Sequence, residues 1–179
     1  SERAILGIRV LLFEQDYGAR FKPILDWPDD ALATTSTHDL PTLTGWLHGR
    51  DIDWNERLGL IDPVTAHHWR ESRQRECEGL DLALRLDPQN FQEEAQGNAP
   101  TLDASIRYLG HTRAPLVLLP IEDALGLEEQ ANLPGTVSGH PNWCRRLPGD
   151  GNTLLDAIDA TQRFELLACA RQQAHERDR

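Results

Sequence analysis

Methionine is absent from the 179-residue chain, and cysteine is nearly so, with Cys77, Cys144 and Cys169 far apart and in no Cys-x-x-Cys pair. An odd number cannot all pair within one chain, so a disulfide framework is set aside and a reducing, cytoplasmic compartment is expected. Basic residues are scarce too. Eighteen Lys and Arg face 29 Asp and Glu, a formal net charge of −11. A nucleic-acid-binding surface needs a basic patch, so nucleic acid is excluded as an expected partner. Long apolar runs are missing as well. The longest, Pro115 to Ile121, falls far short of the roughly 20 residues that span a bilayer, and no membrane association is expected. No Gly-rich phosphate loop is present, since Gly149-Asp150-Gly151-Asn152 reads as a turn. The chain opens Ser1-Glu2-Arg3 and runs at once into an apolar strand pattern, which gives the expectation of a piece from within a longer polypeptide.

What is present is a soluble, globular composition, 39% hydrophobic and 26% charged. Three short apolar or β-branched runs read as buried strands: Arg9 to Glu14, Ala31 to Thr37, and Leu116 to Ile121. Each meets polar residues at its C-terminal end: Glu14 and Asp16, then His38 and Asp39, then Glu122 and Asp123. That repetition predicts an α/β fold in which parallel strands send their C-terminal ends to one site. Between the second and third strands, residues 51–112 read as a mostly helical insertion. Asp62-Pro63 starts a helix with Asp62 as N-cap, and Thr101 caps another that ends near Gly110. Leu80, Leu82, Leu84 and Leu86 break a clean helical period, and Pro88 to Phe91 restarts a short element. Leu133 to Gly151 is a long loop rich in Pro, Gly and Asn, of a length that usually serves a function. A last helix covers about Thr153 to Ala174.

The stretch Ser36-Thr37-His38-Asp39-Leu40-Pro41-Thr42 is the most informative. Asp39 has two readings, a helix N-cap with Pro41 in the first turn, or a site carboxylate past a strand end. Trp46 and Trp143 are candidate stacking platforms for a ligand, although helical spacing from Leu43 places Trp46 in the core. His67 and His68, adjacent on a helix, point about 100° apart and cannot readily share one metal. No metal or other cofactor is expected.

Several ordered blocks carry a resemblance. Phe13-Glu14-Gln15-Asp16, Thr37 to Trp46, Pro120 to Leu127, Asn132-Leu133-Pro134-Gly135-Thr136 and Asn142-Trp143 resemble the C-terminal third of the 4-α-glucanotransferases, the amylomaltases. The resemblance implies the C-terminal part of a (β/α)8 TIM barrel, about three parallel strands, with 1–179 as a single segment. It also implies transfer of α-1,4-glucan segments between malto-oligosaccharides by a retaining mechanism, which needs two carboxyl groups about 5 Å apart. In the family those two lie on strands before the matched region, and they have no counterpart in this chain. Asp39 matches a third catalytic carboxylate that steadies the reacting sugar, and His38 a histidine that bonds the same sugar. Asn132 matches a loop beside the acceptor subsites, and Glu14 and Asp16 are further substrate-binding candidates. The segment alone is expected to be inactive and to self-associate through an exposed sheet edge, unless the inserted helices cover the sheet. The rival reading is a non-catalytic glucan-binding module.

Overall fold

The computed structural model describes residues 5–87 and 101–177. Three parallel strands, β1 (Gly7–Val10), β4 (Ala31–Thr34) and β5 (Leu116–Leu118), form one sheet in the order β1-β4-β5. Gly7 lies opposite Ala31 and Val10 opposite Thr34, while Thr34 pairs in turn with Leu118. The three C-terminal ends are therefore level, and the chain leaves each of them on the same side of the sheet.

All three strands are shorter than the sequence pattern indicates, each for a local reason. After β1, Leu11 and Leu12 are both buried, whereas successive side chains of a continued strand would point to opposite faces of the sheet. The chain instead makes a 3-10 turn at Leu11–Phe13, closed by the Glu14 N–H donating to the Leu11 carbonyl at 3.2 Å. After β4, side chains take over from the ladder: the Thr34 hydroxyl donates to the Ser36 carbonyl at 2.9 Å. After β5, Pro120 has no N–H to give a ladder and instead precedes a one-turn helix, α5 (Ile121–Ala124). A two-residue hairpin, β2 (Gln15–Asp16) and β3 (Arg20–Phe21), is too short to show a period and was not expected.

Helices cover one face of this sheet. Helix α1 (Leu43–His48) is capped by Thr42, whose Oγ1 accepts from the Gly45 N–H at 3.0 Å, so Asp39 is not the cap and Pro41 lies ahead of the first turn. Gly49, with φ +73, ends α1 and at the same time begins α2 (Arg50–Arg57). Helix α3 (Pro63–Leu86) has the expected Asp62 cap, accepting from Val64 and Thr65 N–H groups at 2.8 and 2.9 Å. It runs unbroken through the leucine series, because Leu80 and Leu84 share the buried face with Ala83 while Leu82 and Leu86 share the exposed one. Thr101 caps α4 (Leu102–His111), as expected. The element predicted at Pro88–Phe91 lies outside the described residues.

The core joins Val10, Leu11 and Ala33 to Leu43 and Trp46 of α1, Leu80 and Leu84 of α3, and Tyr108 and Leu109 of α4. Trp46 is thus a core residue. The row Ile8, Leu32, Leu116 is in register across the sheet, and Ile8 and Leu116 are 66% and 45% exposed. The terminal helix α6 (Ile158–Arg177) packs on α4, with a 3-10 turn (Leu154–Asp156) before it. Their contact is close enough to dictate a residue type: a Cβ on Gly110 would lie 2.6 Å from the Ala170 Cβ and 3.2 Å from Leu167 Cδ1. Gly110→Ala should therefore lose about 1–3 kcal/mol through overpacking, against a gain of up to about 1 kcal/mol from helix propensity. Urea unfolding is expected to show a lower midpoint; a raised midpoint would show that the helices part without cost.

Candidate active site

The loop from Thr35 to Thr42 carries His38 and Asp39 and is braced at both ends by one buried side chain. The Thr35 hydroxyl donates to Asp123 Oδ2, and the Leu43 N–H donates to Asp123 Oδ1 at 2.7 Å. Asp123 comes from α5 beyond β5, so a carboxylate at one strand's end clamps the loop at its neighbour's. Within the loop, Ser36 Oγ donates to the Pro41 carbonyl and the Leu40 N–H to the Thr37 carbonyl at 3.1 Å. The apex projects outward, with His38 and Asp39 side chains 65% and 53% exposed and His38 Nε2 3.4 Å from Asp39 Oδ2.

The second half of the site is the long loop after α5. Asn132 Nδ2 donates to Asp39 Oδ1 at 2.7 Å, across 93 residues of sequence. Asn142 shapes the loop from inside. Its Oδ1 accepts from the Leu133 N–H at 2.9 Å, and its Nδ2 donates to the Thr136 carbonyl and hydroxyl at 3.1 and 2.7 Å. The Trp143 N–H donates to the Ala131 carbonyl at 2.9 Å, closing the loop beside Asn132. Trp143 has φ +58, a left-handed conformation unusual for a bulky residue, and its ring centroid lies 5.4 Å from that of His38. It is 64% exposed. His38, Asp39, Asn132 and Trp143 thus form one open, polar and aromatic patch, beside a cleft of about 90 Å³ that reaches from His38 down to Asp123. A larger cavity of about 330 Å³, bounded by Phe21, Ile24, Leu25 and Tyr108, is mainly apolar and contains none of these four residues.

The long loop is fastened to the helices through two consecutive glutamates. The Thr42 hydroxyl donates to the Glu128 carbonyl at 3.0 Å, and that carbonyl would lie 2.3 Å from a Cβ on Gly45, so only glycine allows the approach. Glu129 receives Arg50 on Oε1, and on Oε2 both the Trp54 indole N–H and Arg145, each at 2.8 Å. Partial burial pushes the Glu129 carboxyl up, but the hydrogen bonds from Arg50 and Trp54 and the charge of Arg145 outweigh it and hold the group below its usual range.

Of the remaining candidates, Glu14 is buried, with Lys22 Nζ at 2.8 Å and Arg9 at 3.7 Å from its carboxylate. Asp16 is exposed on the hairpin, opposite Arg20. No hydrogen bond or ion pair joins either to Asp39 among the described residues. His67 and His68 are exposed on α3, and His67 Nε2 lies 3.3 Å from Glu71.

Residues 1–153 match the family model described as 4-alpha-glucanotransferase, glycoside hydrolase family 77. The chain belongs to the 4-alpha-glucanotransferase family. It is 31% identical over 153 residues to the 4-alpha-glucanotransferase of Haemophilus influenzae, covering 82% of this chain and 22% of that relative. The Mycobacterium tuberculosis 4-alpha-glucanotransferase is 33% identical over 177 residues, covering 93% and 24%. The chain spans about a quarter of the length of these curated relatives. The solved amylomaltase from Corynebacterium glutamicum superposes with a TM-score of 0.66 at 22% identity, over 93% of this chain and 25% of that one. The Streptococcus agalactiae amylomaltase, solved with acarbose, gives 0.57 at 17% identity, over 93% and 27%. The fold is therefore α/β, the parallel three-strand part of an amylomaltase barrel with its helices.

Asp123 and Glu129 are the supports that the sequence pattern leaves hidden in this family member. Glu122-Asp123 reads equally well as a cap of the following turn, and nothing around Glu129 marks it. The burial of Asp123 has a measurable effect. It raises the carboxyl from an ordinary 3.8 to about 6, with the hydrogen bonds from Thr35 and Leu43 opposing the shift. Between those values the folded state binds more protons at this group than the unfolded one, so the contribution of Asp123 to stability is fullest below pH 4 and is lost as pH rises through 6. Asp123→Asn cannot ionise. Wild-type stability should drop relative to the variant by on the order of 2 kcal/mol from pH 4 to pH 7.5. Thermal unfolding of both proteins across that range checks this; a constant difference would refute an ionisable, buried Asp123.

Proposed function

We propose that the chain forms part of a cytoplasmic 4-α-glucanotransferase, an enzyme that transfers α-1,4-glucan segments between malto-oligosaccharides with retention, and that Asp39 is its sugar-steadying carboxylate. The observation that carries this reading is the convergence of Asp39, His38 and Asn132 at the C-terminal end of a parallel strand, where barrel folds keep their chemistry. Retaining transfer passes through an oxocarbenium-like transition state, in which hydrogen bonds to the ring hydroxyls strengthen. Asp39 accepts from Asn132 on one oxygen while more than half of its side chain remains open, so it has lone pairs free for a sugar hydroxyl. The Asn132 amide fixes the carboxylate's orientation before substrate arrives. His38 has ring nitrogens suited to a second hydroxyl of the same sugar. Glu14 and Asp16 remain secondary candidates for contact with more distant sugar units. In this proposal, the nucleophile and the acid/base are supplied by polypeptide outside this chain. The segment by itself would be inactive, and its exposed Ile8 and Leu116 and the edge of β1, unpaired among the described residues, would promote self-association.

A second reading has its own support. Trp143 is exposed and held in a left-handed conformation beside His38, and strained residues concentrate where ligands bind. A glucan-binding module without catalysis would use that ring as its platform. Calorimetry of the chain with maltoheptaose separates the two: micromolar binding favours the module, silence an incomplete site.

In the full-length enzyme, Asp39→Asn keeps an oxygen to accept the Asn132 hydrogen bond but loses the charge. Disproportionation of maltotriose should fall by about 10²–10³-fold, as for loss of one preorganised electrostatic group, with the melting temperature unchanged. Full activity would remove Asp39 from the mechanism. Trp143→Ala, read by KM for maltotriose, should lose about 1 kcal/mol of ring contact, close to a fivefold weaker binding.

A further inference from the structure

The loop that brings Asn132 to Asp39 has no regular secondary structure between α5 and the 3-10 turn at Leu154. Its placement must come from particular tethers, and one side chain gathers several of them. Glu129 stands three residues before Asn132 and joins three partners. Arg50 and Trp54 belong to α2, while Arg145 belongs to the far limb of the same loop. Arg145 thereby closes the loop's base across Glu129, and α2 anchors that base to the helices that follow the His38-Asp39 loop. Trp54 fills the centre of the clamp. The guanidinium carbons of Arg50 and Arg145 lie 5.2 and 5.7 Å from its ring centroid, and the His140 ring meets it edge-on at 4.8 Å. His140 Nδ1 lies 2.6 Å from Asn142 Oδ1, so the clamp reaches the residue that shapes the loop from inside. Between the clamp and the site, buried Gln130 donates its amide to the Asn132 carbonyl at 2.6 Å. The path from Glu129 to Asp39 is continuous: Glu129, the Gln130–Asn132 backbone, the Asn132 amide, the Asp39 carboxylate.

The geometry points to Glu129 as a positioning residue for transfer, one that touches no sugar but sets where Asn132 presents its amide to Asp39. This inference rests on the proposed role of Asn132 and Asp39 in glucan transfer. A positioning role differs from a merely stabilising one in a specific way: its effect vanishes once the positioned group is gone. Kinetics of maltotriose disproportionation by the full-length enzyme therefore test it, using Glu129→Ala, Asn132→Ala and the double variant. Each single substitution is expected to lower kcat/KM by about tenfold, and the double variant to fall no more than about twofold below the weaker single variant. Losses that multiply to about a hundredfold, with an active parent enzyme, overturn the inference alone. Wild-type rates for Asn132→Ala overturn it together with the role of Asn132, and absence of transfer by the unmutated enzyme overturns the proposed function as well. Should Glu129→Ala fail to fold, Glu129→Gln takes its place in the cycle. It keeps an acceptor for the Trp54 N–H and loses the arginine ion pairs, and the same outcomes decide.

Discussion

Asp123 is the group on which the arrangement of the site depends. Its carboxylate is buried between the first residue of the His38-Asp39 loop and the first residue of the helix after it. A buried carboxylate needs donors, and here both come from the chain segment that must be held. The interaction therefore does two things at once. It gives Asp123 the partners that burial requires, and it fixes the entry and exit of the loop. Because Asp123 belongs to the element following β5, it also locks two adjacent strand ends into one functional unit. The parallel register of the sheet brings the two ends level, and the carboxylate converts that proximity into a defined geometry.

The remaining supports are graded in the same way from buried to exposed. Thr42 caps α1 and, through the same hydroxyl, reaches the Glu128 carbonyl, so helix start and loop base share one atom. Glu129 adds a charged clamp at the edge of solvent, with Trp54 excluding water from one side. The four residues at the apex are then left open. An open, polar apex on a closely braced base suits recognition of a hydroxyl-rich ligand, in which several weak hydrogen bonds must be correctly aimed before the ligand arrives.

Much of this was legible in the residues. Asp62-Pro63 and Thr101 mark helix starts through cap chemistry that is purely local, and both elements begin there. The three strands are visible as β-branched and aliphatic runs, and the polar residues after the second and third of them, His38-Asp39 and Asp123, fall together in the candidate site while Glu14 does not. The strand ends were less legible, because a turn at Leu11, a threonine hydroxyl at Thr34 and a proline at Pro120 each stop a ladder without altering hydrophobicity. The helix start at Thr42 rather than Asp39 was hidden because both residues are good caps, and the choice follows from the tertiary contact to Glu128. Asp123 and Glu129 were illegible for a related reason. Their roles arise chiefly from partners 75 to 88 residues away, and no sequence spacing records a contact of that kind.

Gly49 gives one of these contacts its reach. The residue closes α1 and opens α2 with a single left-handed step, so it fixes the angle of the corner between the two helices. That angle aims Arg50 and Trp54 outward at the long loop instead of along the helix that precedes them. A residue with a Cβ would pay about 1 kcal/mol or more to hold φ +73, and relaxing it would rotate both side chains together. One backbone torsion, at a position that meets neither half of the candidate site, thus helps to set the span between them.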